Sequence, residues 1–312
     1  MSSEPLNWQK PPPAACRGGA LSIGNFDGVH RGHRTLLTEL RQRAARVGGP
    51  AVVLTFDPHP LQLLSPERFQ PLLTTIEDRV ALLHAAGAER VAVLRTTPEL
   101  LQLSARDFFA RVVQAGFQAQ ALVEGGNFAF GRNREADVET LRRYCQEAGI
   151  DFAVVPFFQE AGRNVSSSQV RAALLAGDVR GAAALLGRCY RLRGTVVVGQ
   201  RRGRTIGFPT ANLDAMPTLL PGNGVYAVRV EQAGQQWPGA ANIGPNPTFG
   251  EDARKVEIHL IGFEGDLYGQ ALAVDFVARL RDTRPFAGVA ELKAQLQQDV
   301  DQARQLIANG AN

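Results

Sequence analysis

Five short apolar runs alternate with helix-length patterns through the first half of the chain, and this alternation constrains the fold more than any other feature. The runs cover residues 20–24, 51–56, 91–94, 121–125 and 152–156. They are rich in β-branched residues and nearly continuous, as strands buried on both faces are. Helical patterns lie between them near 33–47, 77–86, 105–115 and 136–148, and each meets a glycine, Gly48, Gly87, Gly116 or Gly149. Strand–helix–strand alternation calls for a parallel sheet with helices on its faces. Two more helices are expected at 168–176 and 178–186, with Asp178 capping the second and Gly187 ending it.

After about residue 188 the pattern changes. Strands now follow one another at 194–199, 224–231, 236–243, 254–261 and 270–280, joined by glycine- and proline-rich connections. Alternation in Val225-Tyr226-Ala227-Val228-Arg229-Val230 and Val256-Glu257-Ile258-His259-Leu260 predicts an antiparallel barrel or sandwich. Val289, Leu292, Leu296, Val300, Ala303 and Leu306 recur every three or four residues and predict a closing amphipathic helix. The fold expected is α/β, with a domain over 1–187 and a second over 188–312.

Charge does not point to nucleic acid. Residues 1–187 hold 20 Lys+Arg against 18 Asp+Glu and residues 188–312 hold 14 against 12, so the net charge of +4 is split evenly, without a basic block. No run approaches the ~20 apolar residues that cross a bilayer, so no membrane partner is expected. The start is polar and proline-rich, without the apolar centre of a secretory signal. Cys16, Cys145 and Cys189 are too far apart for a paired metal-ligand spacing. These features predict a cytoplasmic protein; they leave the oligomeric state undetermined.

The first run leads into Asn25-Phe26-Asp27-Gly28-Val29-His30-Arg31-Gly32-His33, where a helix begins. Ligands of open parallel sheets bind beyond the carboxyl ends of strands, and a helix start offers free N–H groups to phosphate. Gly28 and Gly32 permit close backbone approach. His30 and His33, three apart, share a helix face and can stabilise charge on a leaving pyrophosphate. Two surface histidines beside a cap, or two ligands of a zinc site lacking an evident third, are the plainer readings. Ser166, Ser167 and Ser168 open a later helix that carries Arg171, a second anion-binding pattern that is also an ordinary cap. Gly125-Gly126-Asn127-Phe128-Ala129-Phe130 can hold a flat ring or form a turn over core aromatics. Thr55-Phe56-Asp57-Pro58-His59-Pro60 ends a strand at the same sheet edge.

In the second half, Gly203-Arg204-Thr205-Ile206-Gly207-Phe208-Pro209-Thr210-Ala211-Asn212 combines a glycine-rich phosphate cradle with two neutral oxygen donors. In an extended segment Thr210 and Asn212 face the same way and suit Mg²⁺ carried by a nucleotide. Glu257 lies in a strand, where it is an outward-facing residue or a base for a substrate hydroxyl.

Taken in order, these segments resemble the bacterial bifunctional riboflavin kinase/FMN adenylyltransferases, or FAD synthetases, from about Ala20 to the last helix. Gly224-Val225-Tyr226, Asn242-Ile243-Gly244 and Asp266-Leu267-Tyr268-Gly269 add to the match. The resemblance implies a Rossmann-like nucleotidyltransferase domain followed by a six-stranded flavokinase β-barrel with a C-terminal helix. It implies phosphorylation of riboflavin to FMN, then transfer of AMP from a second ATP to give FAD and pyrophosphate. On that pattern ATP is held in the first domain by Gly24, Asn25, Phe26, Gly28, His30, His33, Ser166, Ser167 and Arg171, with His30, His33 and Arg171 catalytic. Gly203, Gly207, Thr210 and Asn212 hold Mg-ATP in the second, and Glu257 is the base. Asp57, Asn127 and Phe128 are implied to touch flavin.

Three departures stand out. Ser168 and Asn127 stand where threonine and aspartate are usual, and Ala136 replaces a glycine in a segment implied to loop over ATP. Competing readings are a riboflavin kinase alone, a flavin-binding sensor, and a tRNA-charging enzyme. The last should bring an anticodon-binding region or a basic surface, and the sequence displays neither.

Overall fold

The computed structural model describes residues 5–160, 162–200, 202–246 and 251–309. By its internal contacts the chain forms two compact units, Met1–Gln70 with Thr74–Ser166, and Pro71–Leu73 with Ser167–Asn312.

The first unit is built on an all-parallel sheet of β1 (Ala20–Ile23), β2 (Ala51–Asp57), β3 (Arg90–Arg95), β4 (Ala121–Gly125) and β5 (Asp151–Val155), in the order β3-β2-β1-β4-β5. The strands read as continuous apolar runs because both faces are covered. Leu21, Ile23, Val52, Leu54 and Leu122 enter one core, and Ala20, Ala51, Val53, Ala121 and Val123 enter another. Helix α1 (Arg31–Val47) lays Leu36, Leu37, Leu40 and Ala44 on the second core, and α2 (Ile76–Ala85) adds Leu83. Helix α3 (Val138–Ala148) sends Leu141 and Cys145 to the first. Gly48 and Gly149 end their helices in the left-handed conformation, at φ 71° and 68°. Gly116 does not act this way. The helix that begins at Ala105–Phe108 widens to π spacing over Phe109–Gly116, and the left-handed turn comes at Gln118, φ 51°.

The second unit opens with α4 (Ser167–Leu175) and α5 (Val179–Leu186). Asp178 caps α5, accepting from the Gly181 amide at 2.8 Å. Six antiparallel strands follow: β6 (Tyr190–Val197), β7 (Ala211–Asp214), β8 (Gly224–Gln232), β9 (Gln235–Asn246), β10 (Glu251–Leu260) and β11 (Ala271–Arg281). They close in the order β6-β7-β10-β9-β8-β11. Pattern reading alone locates five of these. The sixth is four-residue β7, inside the Thr210–Asn212 segment, and β6 starts four residues earlier than its glycine suggests.

Alternate residues such as Leu192, Leu213, Val228, Ile243, Ile258 and Val274 fill the barrel interior. Val170 and Leu174 of α4 and Val179, Ala182 and Leu186 of α5 join the same core, which is why these helices group with the barrel. Helix α6 (Val289–Asn309) packs Val300 and Ala303 against Phe208, Ala227 and Ile261. A buried Asp299 pairs with Arg281 of β11 at 2.8 Å and fixes that docking. Val289, at the start of the expected apolar stripe, is exposed. Among the described residues no helix is long and apolar enough to cross a membrane.

Candidate active sites

At the carboxyl edge of the parallel sheet, β1 gives way to a tight loop over Gly24–His30 before α1. Phe26 and Val29 take positive φ, 49° and 41°, costly for residues with side chains. Burial of both rings and methyls in the core under α1 offsets that cost. Gly28, φ 82°, sits between them.

A buried cluster holds the loop from below. Asp27 Oδ1 accepts from the Thr74 amide at 3.1 Å and the Thr74 hydroxyl at 3.0 Å. Thr74 Oγ1 accepts in turn from the Gly28 amide, 3.2 Å, and Arg79 lies 3.6 Å from Asp27. Both charged side chains are almost fully enclosed. Asp27 lies within the motif, but neither Thr74 nor Arg79 stands out in the sequence, because the contacts join positions about fifty residues apart. Arg79→Met would leave the Asp27 carboxylate buried without its cation. The expected loss is about 3–5 kcal/mol of stability in the first unit. The urea midpoint of that unit's transition measures it, and an unchanged midpoint would contradict the clamp.

His30 caps α1: its Nδ1 accepts from the His33 amide at 3.3 Å. In the neutral ring the proton therefore resides on Nε2, which is left as a donor. The His33 ring stacks on His30, centroids 3.6 Å apart at 15°, with Phe26 5.1 Å away on its flank. His33 Nδ1 is buried without a hydrogen-bond partner among the described residues. Burial, then the neighbouring His30 and Arg79, hold His33 well below the usual imidazole range. A Cβ on Gly32 would press on the His30 ring at 3.2 Å, so this glycine preserves the stack. The first amides of α1, at Arg31 and Gly32, have no intrahelical acceptor and present a positive end to an anion.

Asp57 ends β2 and Asn127 follows β4, so both share the sheet edge with the histidines. Thr55 Oγ1 donates to the Asn25 carbonyl at 3.1 Å. His59 caps the helix Pro60–Leu64. Asn127 is exposed, whereas Phe128 stacks on Phe130 at 5.5 Å against the core. Ala136 is itself a core residue, paired with Phe130 in a short hairpin, and Asp137 caps α3. The segment implied to loop over ATP is thus partly a structural hairpin. Ser166 closes the first unit, while Ser167 and Arg171 belong to α4 of the second. There Arg171 Nε donates to the Pro71 carbonyl at 3.0 Å.

Apolar side chains of the described residues fill the barrel core. Alternation sends Ala211 and Leu213 of β7 and Val256 and Ile258 of β10 inward, leaving Asn212 and Glu257 facing out. The register sets Asn212 directly opposite Glu257, with Asn242 of β9 opposite on the other side. Such cross-strand neighbours sit roughly 4.5–5.5 Å apart at Cβ. His259, two residues on, bonds the Pro209 carbonyl at 2.8 Å through Nδ1 and meets Phe208 edge-on at 5.6 Å. It thereby pins the turn that delivers Thr210. A Cβ on Gly203 would strike the Phe208 carbonyl at 2.2 Å, and one on Gly199 would strike the Asn212 amide at 2.2 Å. Backbone approach therefore demands glycine at 203, whereas at 199 it is the Asn212 side chain that would have to move. Ile206 and Phe208 anchor the same turn against α6. Among the described residues no three His, Cys, Asp or Glu side chains gather as metal ligands. Thr210 and Asn212 are neutral oxygen donors, of the kind that completes the shell of a hard cation arriving with phosphates.

Comparison with known proteins follows this division. A family described as FAD synthetase matches residues 13–169, and one described as riboflavin kinase matches 186–307. A Pseudomonas fluorescens protein named bifunctional riboflavin kinase/FMN adenylyltransferase is 40% identical over 297 residues, 95% of each chain. Proteins of the same name from Escherichia coli (strain K12) and Bacillus subtilis (strain 168) are 37% and 34% identical. They align over 93% of this chain and over 93% and 92% of their own lengths. A crystal structure from Streptococcus pneumoniae described as a macrolide-efflux protein superposes with TM-score 0.86 at 32% identity, covering 96% of this chain and 98% of that one.

A parallel sheet with a histidine loop at a helix start, joined to a closed barrel with a carboxylate on its outer wall, and matched by these two families, marks a nucleotide-dependent transferase of two units. The chain belongs to the bifunctional riboflavin kinase/FMN adenylyltransferase family.

Proposed function

We propose that this chain makes FAD from riboflavin in two ATP-dependent steps, with the kinase in residues 188–312 and the adenylyltransferase in residues 1–187. The observation that carries the reading is that one chain keeps both polar constellations, the stacked His30–His33 pair and the Asn212–Glu257–Asn242 row.

In the barrel, Glu257 accepts the proton of the riboflavin 5′-hydroxyl as its oxygen attacks the γ-phosphorus of ATP. The γ-phosphoryl–ADP bond breaks, and FMN and ADP result. Asn212 and Asn242 flank the carboxylate and orient it. Gly203 and Gly207 give the turn its shape around the phosphates. Thr210 and Asn212 hold Mg²⁺ that arrives with ATP; bound there, the cation neutralises phosphate charge.

In the first unit an oxygen of the FMN phosphate attacks the α-phosphorus of a second ATP, and pyrophosphate leaves. That oxygen is already anionic, so no base is required. Catalysis falls to positioning and to charge stabilisation. His30 donates from Nε2, His33 and the first amides of α1 line the phosphates, and Gly24, Asn25, Phe26 and Gly28 shape the loop. Ser166 steadies the departing pyrophosphate, and Asp57, Asn127 and Phe128 contact flavin. We place the protein in the cytoplasm, where riboflavin, ATP and the flavoenzymes that use FAD meet.

Incubating the purified chain with riboflavin, ATP and Mg²⁺ and separating flavins by chromatography tests this. FAD is expected. FMN alone would reduce the assignment to the kinase, and unchanged riboflavin would overturn it.

The lowered affinity of His33 for protons has a measurable consequence. A base whose folded value is depressed binds its proton sooner in the unfolded chain. Stability of the first unit therefore falls as pH drops through about 6.5 toward the folded value. The neutral ring also persists below that range in the native protein. The acid limb of kcat/KM for FAD formation is thus expected below pH 6.5. A limb at or above the ordinary imidazole value that His33→Asn removes would contradict this.

A further inference from the structure

Pairing between β1 and β4 stops early. Ala20 and Leu21 pair with Ala121 and Leu122, whereas β4 itself continues to Gly125. On the opposite side β1 stays paired with β2 through Ile23, and the Gly24 amide still donates to the Leu54 carbonyl at 3.0 Å. The chain winds outward from β1 to β2 and β3, then returns to β4 on the other side. The β1–β4 gap is therefore the switch-point crevice where open sheets take their ligands.

Glu124 of β4 occupies the floor of that gap. It is 2% exposed, and its Oε1 accepts from the Ile23 amide at 2.7 Å. A side-chain carboxyl thus replaces the main-chain acceptor that a continuing ladder would have supplied. Ile23 leads directly into Gly24 and Asn25. The β2 side pins Gly24 through the Leu54 carbonyl and Asn25 through the Thr55 hydroxyl, while from the β4 side Glu124 pins Ile23 just before them.

We propose that Glu124 is a positioning residue for adenylyl transfer, fixing where the β1 exit, and with it the ATP-holding loop, lies in the crevice. This rests on the reading that the first unit makes FAD. Burial favours the uncharged carboxyl, despite the opposing bond from Ile23. From α3 the Cys145 thiol faces the same core, pushed up to about 12 chiefly by burial.

Steady-state kinetics of FAD formation from supplied FMN test the proposal, with riboflavin phosphorylation by the same molecule as the internal control. Glu124→Gln keeps the acceptor oxygen, and KM for ATP is expected within about threefold of the parent. Glu124→Leu orphans the Ile23 amide, and KM for ATP is expected to rise about tenfold or more, with kinase constants unchanged. Glu124→Asp, one methylene short, should fall between them and serves if the Leu variant is too unstable to assay. A parental KM in the Leu or Asp variant overturns the proposal, as does a Gln variant as impaired as the Leu one. Failure of the parent itself to make FAD would instead overturn the functional reading.

Discussion

His33→Ala is expected to stop the pathway at FMN. The ring is the less enclosed partner of a stacked pair, centroids 3.6 Å apart, at the first turn of α1. Its buried Nδ1 has no hydrogen-bond partner among the described residues, at the edge proposed to take phosphate. Removing it deletes one phosphate contact and strips His30 of the neighbour that fixes its plane. Loss of one preorganised group facing developing charge costs about 10²–10³-fold in rate. FAD formation should fall by that factor while FMN accumulates at the parental rate, because the barrel is a separate compact unit. Flavin chromatography reads both products at once. Loss of FMN along with FAD would contradict independent sites, and unchanged FAD output would remove His33 from the mechanism.

Glu257→Ala has the opposite signature. The carboxylate stands outside the barrel with asparagines on both flanking strands, and apolar neighbours at 256 and 258 point inward. Truncation removes the proton acceptor and leaves the strand's buried face untouched. General-base removal costs about 10²–10⁴-fold, so riboflavin phosphorylation should nearly cease. Conversion of supplied FMN to FAD should persist. Glu257→Gln, which preserves shape and hydrogen bonding but cannot take the proton, should be nearly as inactive as a kinase. A Gln variant with parental kinase rates would disprove the base role, and a folded Ala variant unable to use FMN would disprove the division of labour.

What the sequence disclosed, and what it hid, follows from the range of the interactions. The parallel sheet is legible because double burial writes itself as continuous apolar runs, as in Ala51–Asp57. Glycine stops are legible where the helix is regular, and fail at Gly116, where π spacing moves the turn to Gln118. Four-residue β7 escapes pattern reading because two inward residues, Ala211 and Leu213, do not make a periodicity. The amphipathic faces of α4 and α5 reveal that they pack, though not on which core.

The histidine pair is local and was visible from its spacing. Its supports are not local: Thr74 and Arg79 reach Asp27 from another segment, and Glu124 looks like one polar interruption in an apolar strand until its bond to Ile23 is seen. Asn242 was visible only as part of a resemblance; the barrel register is what sets it beside Glu257.

The central claim is that one chain holds two separable chemistries, one on each polar constellation. Mixing the two crippled variants tests it most directly. Neither His33→Ala nor Glu257→Ala alone should produce FAD from riboflavin, ATP and Mg²⁺. Combined in one tube, the first should supply FMN that the second adenylylates, so FAD should reappear. A mixture of folded variants that yields FMN but no FAD, while the parent chain makes FAD, would contradict the account.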